Sequence, residues 1–105
     1  MRVRGNLAGE VVRVAGRLDA STAAEVRPRL HGALERGSGD LILDLSELEV
    51  IDVTGLGLLV GLHRRAMRTD RRLVLRDVPP RVMRVLAVTR LHRVLSVEWT
   101  PAAVA

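Results

Sequence analysis

The sequence predicts an α/β fold: one domain, built on a mixed, mostly parallel sheet of four to five strands with about three to four helices. Three observations predict it. Short aliphatic runs alternate with segments whose apolar residues recur at helical spacing. Capping and turn residues punctuate each change of period. The alternation also runs through all 105 residues without a linker, a repeat or a low-complexity tract. Residues 1–105 therefore read as a single domain. Hydrophobic residues make up 48% of the chain, yet Trp99 is its one aromatic. The core must be aliphatic, mainly Leu and Val.

Met1 to Asn6 reads as the first arm of a hairpin, and Leu7 to Val14 as the second, with Val11, Val12 and Val14 as β-branched strand formers. Asp19-Ala20-Ser21-Thr22 ends that strand, and Thr22-Ala23-Ala24-Glu25 has the pattern of a capping box. Ala23, Val26, Leu30, Ala33 and Leu34 then follow helical spacing up to Gly37-Ser38-Gly39. Pro28, which lacks a backbone donor, is expected to kink this helix or tighten its first turns. Leu41 to Leu45 is short and almost wholly apolar, as in a central strand covered on both faces. A further extended stretch at Leu48 to Ile51 leads to a helix over about Thr54 to Thr69. Leu73 to Leu75 is a buried strand, and Pro79-Pro80 opens a last helix with Val82, Val85, Leu86 and Thr89 on one face. Val94 to Val97 closes the sheet. Parallel crossovers of this kind give an α/β sandwich.

Composition excludes several chemistries. Without Cys there is no disulfide framework, thiolate metal site or cysteine nucleophile, and without Lys there is no Schiff-base or phosphate-loop lysine. His31, His63 and His92 are too scattered for a metal or catalytic motif, and His63 is expected as a packed, hydrogen-bonded core residue. Asp19 and Asp52 form a carboxylate pair without a third ligand, so no metal and no cofactor are expected. The chain reads as a binding protein, not an enzyme. No apolar run approaches the length that spans a bilayer, and the N-terminus lacks a signal-peptide pattern. A cytoplasmic location without membrane insertion is expected. The net charge of +5 is unevenly placed: residues 1–50 carry 7 Arg and 8 acids, residues 51–105 carry 10 Arg and 4 acids. Arg64, Arg65, Arg68, Arg71, Arg72 and Arg76 could form a phosphate-binding stripe. Stacking aromatics and any DNA-binding motif are missing, so nucleic acid is not the expected partner.

The helix after Ile51 is the most informative segment. On a helical wheel Leu56, Leu59, Val60, His63, Ala66 and Met67 fall on one side, the expected core stripe. Thr54, Gly57, Leu58, Gly61, Arg65 and Arg68 fall on the other. Each interior Gly costs about 1 kcal/mol against Ala, so small residues around an exposed leucine suggest a shallow surface onto which another molecule packs. Equally, the glycines could admit a neighbouring element of the same chain. At the helix mouth, Asp52 and Thr54 are both plausible caps, and a helix N-terminus tolerates an anion such as a phosphate on Thr54. Asp19 would lie nearby if the two preceding strands are neighbours.

Gly16-Arg17-Leu18-Asp19-Ala20-Ser21-Thr22-Ala23, Leu41-Ile42-Leu43-Asp44-Leu45-Ser46 and Ile51-Asp52-Val53-Thr54-Gly55-Leu56-Gly57 together resemble the STAS domain, and most nearly the small bacterial anti-sigma factor antagonists. The resemblance covers nearly the whole chain. It implies a STAS-like fold, and a partner that is an anti-sigma factor and a serine-protein kinase of the GHKL type. The unphosphorylated antagonist binds that factor and frees a sigma factor; phosphorylation ends the binding. It further implies a partner-binding surface of Asp19, Ser21, Thr22, Asp52, Val53, Thr54, Gly55, Leu56, Gly57, Leu58, Gly61 and Arg65. Where the family usually has a phosphorylated hydroxyl directly after the aspartate, this chain has Val53, and valine accepts no phosphate. Thr54 is the remaining acceptor. Three readings follow: a constitutively active antagonist, a switch moved to Thr54, or a STAS module with another partner. One such partner is a membrane-associated transport assembly.

Overall fold

The computed structural model describes residues 2–5 and 11–100. Strand β1 (Arg2–Gly5) pairs antiparallel with β2 (Val11–Leu18), giving the expected hairpin. The expected start of its second arm, Leu7 to Glu10, lies outside the described residues. β2 continues to Leu18, beyond Val14. Helix α1 (Ala23–Glu35) leads to β3 (Asp40–Asp44) and β4 (Leu48–Ile51), and α2 (Val53–Arg68) leads to β5 (Arg72–Arg76). Helix α3 (Pro80–Val88) and a 3₁₀ turn, Leu91–Arg93, precede β6 (Ser96–Glu98).

Among the described residues the sheet has six strands, in the order β1-β2-β3-β5-β6, with β4 also on β2. All but β1 run parallel to their neighbours. β2 serves two partners in succession: Val11, Val12 and Arg13 lie opposite β3, and Gly16, Arg17 and Leu18 lie opposite β4. The register shifts between Gly16 and Arg17, and Gly16 takes a φ of 87°, a left-handed value that glycine adopts at no steric cost. Its N–H donates to the Glu47 carbonyl in the turn between β3 and β4. The successive crossovers from β2 to β3, β5 and β6 all step in one direction across the sheet. With right-handed connections, this places the three helices on one face.

That face holds the core. Val12, Val14, Leu41, Leu43, Leu73 and Leu75 are buried under Val26, Leu30, Leu59, Leu62 and Leu86 of the helices. Strand β3 is not covered equally on both sides. Leu41 and Leu43 are fully buried, Ile42 and Asp44 are half-buried, and Asp40 is exposed. The reason is charge: the face away from the helices carries cross-strand ion pairs, Arg13–Asp44 at 3.2 Å, Asp40–Arg72 at 2.8 Å and Arg76–Glu98 at 3.6 Å. No helix among the described residues is long and apolar enough to cross a membrane.

In α1 the five anticipated positions are the buried ones, and the helix runs through Pro28, whose ring is exposed. The capping box does not form. The Thr22 hydroxyl turns back to accept from the Asp19 N–H and donate to the Arg17 carbonyl, tying the end of β2 instead. At the other end of α1 the last turn has no basic residue. The buried Arg71 takes that role from across the fold, donating to the carbonyls of Ala33, Leu34, Arg36 and Gly39. In α3, Val82 and Leu86 are buried and Val85 half-buried; Thr89 is exposed and its hydroxyl bonds the Val85 carbonyl as the helix ends.

Candidate functional site

The parallel pairing of β4 with β2 brings the ends of these strands together, and with them the starts of α1 and α2. Asp52 is the N-cap of α2: one carboxylate oxygen accepts from the Gly55 N–H at 3.0 Å, and the other accepts from the Ala20 N–H at 3.3 Å. One side chain therefore caps a helix and holds the neighbouring turn. The proximity of Asp19 anticipated from the sequence is real, though each carboxylate has its own task. Asp19 accepts from the Ser21 hydroxyl at 2.6 Å, from the Ser21 N–H at 3.0 Å and from Arg17 Nε at 2.9 Å. The Ser21 and Arg17 hydrogen bonds outweigh the opposing effect of burial and hold the Asp19 carboxyl at about 2. With their oxygens taken by protein donors, the two aspartates are built as turn and cap. No group of three His, Cys, Asp or Glu comes together as a metal site among the described residues.

Gly55 explains why the helix starts so close to β2. A Cβ there would lie 2.2 Å from the Leu18 carbonyl oxygen and 2.8 Å from Ile51 Cγ1. For this residue the intramolecular explanation of the glycine is the correct one. Gly57 and Gly61 differ: a Cβ at either position would meet nothing within 4 Å. No packing among the described residues requires them to be glycine.

The buried side of α2 is Gly55, Leu56, Leu58, Leu59, Leu62 and Ala66. The buried stripe differs from the one expected from the sequence. Leu58 is in the core at 3% exposure, correcting its expected place on the surface, and Met67 is 65% exposed, correcting its place in the core. Val60 and His63 are half-buried at the margin. His63 Nδ1 is itself buried and has no hydrogen-bond partner among the described residues, so the expected hydrogen-bonded core histidine is not what the fold builds.

The implied surface thus divides into a frame and a face. Asp19, Thr22, Asp52, Gly55, Leu56 and Leu58 are buried or half-buried and hold the helix mouth in place. Ser21, Val53, Thr54, Gly57, Gly61 and Arg65 are exposed. Val53 stands 84% exposed in the first turn of α2, an apolar side chain offered to solvent. Thr54, also considered as a cap, caps nothing; Asp52 does so alone, and the Thr54 side chain is exposed. Farther along, Arg65 pairs with Glu35 of α1 at 3.3 Å. Arg64 and Arg68 are exposed without an ion pair among the described residues, and Arg64 joins this face although the wheel did not single it out. The six-arginine stripe is broken up: Arg71 is buried, Arg72 pairs with Asp40 and Arg76 with Glu98.

The outcome is a flat patch with minimal side chains, bordered by guanidinium groups. Such a patch suits the close approach of another backbone. Residues 1–97 match the family described as "Mlab, STAS domain". The anti-sigma-B factor antagonist of Staphylococcus aureus (strain NCTC 8325 / PS 47) is 31% identical over 87 residues, covering 83% of this chain and 81% of that protein. Among solved structures, a STAS domain protein from Planctomyces limnophilus superposes with a TM-score of 0.78 at 20% identity, over 96% of this chain and 90% of that one. A sulfate transporter family protein from Wolinella succinogenes gives 0.71 at 24% identity, over 90% and 78%.

Proposed function

The chain belongs to the STAS domain family, and on that premise we propose that it is an anti-sigma factor antagonist. It binds an anti-sigma factor of the GHKL serine-kinase type through the outer face of α2 and the adjoining turn, and so frees a sigma factor in the cytoplasm. It is a binding protein rather than an enzyme. The relationship to the staphylococcal antagonist supports the class of partner. The single observation that carries the surface is the open space over Gly57 and Gly61: the fold gains nothing from these glycines, and a partner lying flat on α2 gains close contact. Arg64 and Arg68 at the border suit carboxylates on that partner.

Regulation follows from Val53. An exposed valine stands where a hydroxyl would accept phosphate, so binding is constitutive with respect to that switch. The test uses a purified GHKL-type anti-sigma kinase. Wild-type chain forms a complex that Gly57→Gln and Gly61→Gln weaken by at least about tenfold, or about 1.4 kcal/mol, while thermal unfolding stays unimpaired. Equal binding by these variants would sink the surface. Incubated with the kinase and ATP, wild type keeps its mass and Val53→Ser gains one phosphate. A phosphate on wild type that disappears in Thr54→Val would move the switch to Thr54. A second reading rests on the family description, which names Mlab and no antagonist: a STAS subunit of a membrane-associated transport assembly. Recovery of a transporter ATPase, and no kinase, in a pull-down selects it.

A further inference from the structure

The arginines of this protein divide into those with an acidic partner and those without one among the described residues. Those on the sheet side are neutralised, Arg13 by Asp44, Arg72 by Asp40 and Arg76 by Glu98. Between Asp77 and Glu98 the sequence contains Arg81, Arg84, Arg90 and Arg93 and no acidic residue. All four are exposed, and none has an ion pair among the described residues. The acids that bracket the segment are engaged elsewhere: Asp77 accepts from the Thr100 N–H and hydroxyl, and Glu98 pairs with Arg76.

This positive segment is also apolar where it faces out. With Val82 and Leu86 buried, helical geometry sets Arg81, Arg84 and Val88 together on the opposite side of α3. Val88 is 80% exposed, and Val94, just after the 3₁₀ turn, is 49% exposed. Arg90 holds a left-handed backbone, φ 62°, where Gly or Asn would cost about 1 kcal/mol less. A cation is thus kept there against a backbone cost.

We propose that the outer face of α3 and the following 3₁₀ turn is a second docking surface, separate from the α2 mouth, for an acidic amphipathic segment of a protein partner. Charge complementarity requires an anionic occupant. Guanidinium forks match carboxylates, and Val88 and Val94 supply shallow apolar contacts between them. The face carries no Phe, Tyr or Trp for base stacking, and its large exposed apolar side chains are only Val88 and Val94, a small apolar area for a membrane surface. A second copy offers few free acids, Glu49 and Asp70 among the described residues, since Glu25, Glu35, Asp40, Asp44, Glu47 and Glu98 are paired with arginines of their own chain.

The test is fluorescence anisotropy with a labelled amphipathic helical peptide of Glu, Leu and Ala, alongside phosphatidylglycerol vesicles and a short DNA duplex. Wild type binds the peptide. Arg84→Glu with Arg93→Glu weakens that binding by at least about tenfold, and Val88→Ser weakens it also. Arg27→Glu with Arg36→Glu, an equal charge change on α1 and the residue that follows it, leaves it within about twofold. Gly57→Gln leaves it unchanged, which separates this surface from the α2 face. If the double α3 variant does not fold, Arg84→Ala and Val88→Ser carry the comparison. No peptide binding by wild type, equal loss in the α1 control, or tighter binding to vesicles or duplex would overturn the proposal. So would self-association in sedimentation that the α3 substitutions abolish.

Discussion

Gly55 and Gly57 are two residues apart on one helix and answer to different constraints. At Gly55 a methyl group would drive into the Leu18 carbonyl, and backbone cannot move aside as a side chain can. Gly55→Ala is expected to destabilise the fold by about 2–3 kcal/mol, measured by chemical denaturation. Asp19 is a residue-scale feature of another kind. Its carboxyl is held at about 2 against the usual 3.8, so folding is favoured while it is ionised. That contribution is present above the usual carboxylate value and is lost as pH falls toward about 2. The acid limb of a stability–pH curve should therefore be shallower in Asp19→Asn than in wild type between these two values. An unchanged slope would mean that the hydrogen bonds of Ser21 and Arg17 contribute nothing to folding.

At the scale of elements, α2 combines a fully packed inner side with an outer side that sacrifices helix propensity. Gly57→Ala and Gly61→Ala are each expected to raise stability by about 0.5–1 kcal/mol, since both new methyl groups point into open space. A loss of stability at either position in denaturant titrations would show that the glycines serve the fold after all. The element also shows why its exposure was misjudged from sequence. The buried stripe runs through Leu58, Leu62 and Gly55, so Leu58 lies in the core and Met67 lies outside it. Periodicity measures spacing along a helix; the direction in which the stripe points depends on the neighbour that covers it.

The molecule as a whole is unevenly charged: ion pairs cross one face of the sheet, while over the helices Arg65 and Arg29 are paired and Arg64, Arg68, Arg81 and Arg84 have no ion pair among the described residues. Arg71 is the exception that joins the two halves, a buried guanidinium satisfying the carbonyl end of α1 from the start of β5. Arg71→Ala leaves several buried carbonyls without a donor, and a loss of about 2–4 kcal/mol is expected. Lysine should not restore it, because one ammonium cannot reproduce the fork. Thermal unfolding of both variants checks this.

Much of this architecture is local and was therefore legible. Aliphatic runs, glycine stops and the Pro79-Pro80 start mark most of the strands and the three helices to within a few residues, although the sequence predicts four to five strands and six form among the described residues, and Asp52-Val53-Thr54-Gly55 marks the helix mouth. Hydrogen-bond geometry and side-chain period act over a handful of neighbours, so sequence alone determines them. What only the tertiary structure decided is which residue faces which. It decided that Asp52 bonds Ala20, that Gly55 is held by the Leu18 carbonyl while Gly57 is free, that Arg71 is structural among arginines that look alike, and that Arg64, Arg68, Arg81, Arg84, Arg90 and Arg93 are left without an ion pair among the described residues. Those contacts join positions far apart in the chain, and the identity of a charged or small residue does not reveal its distant neighbour. Only the packing of one element against another determines whether its side chain is buried, paired or left for a partner.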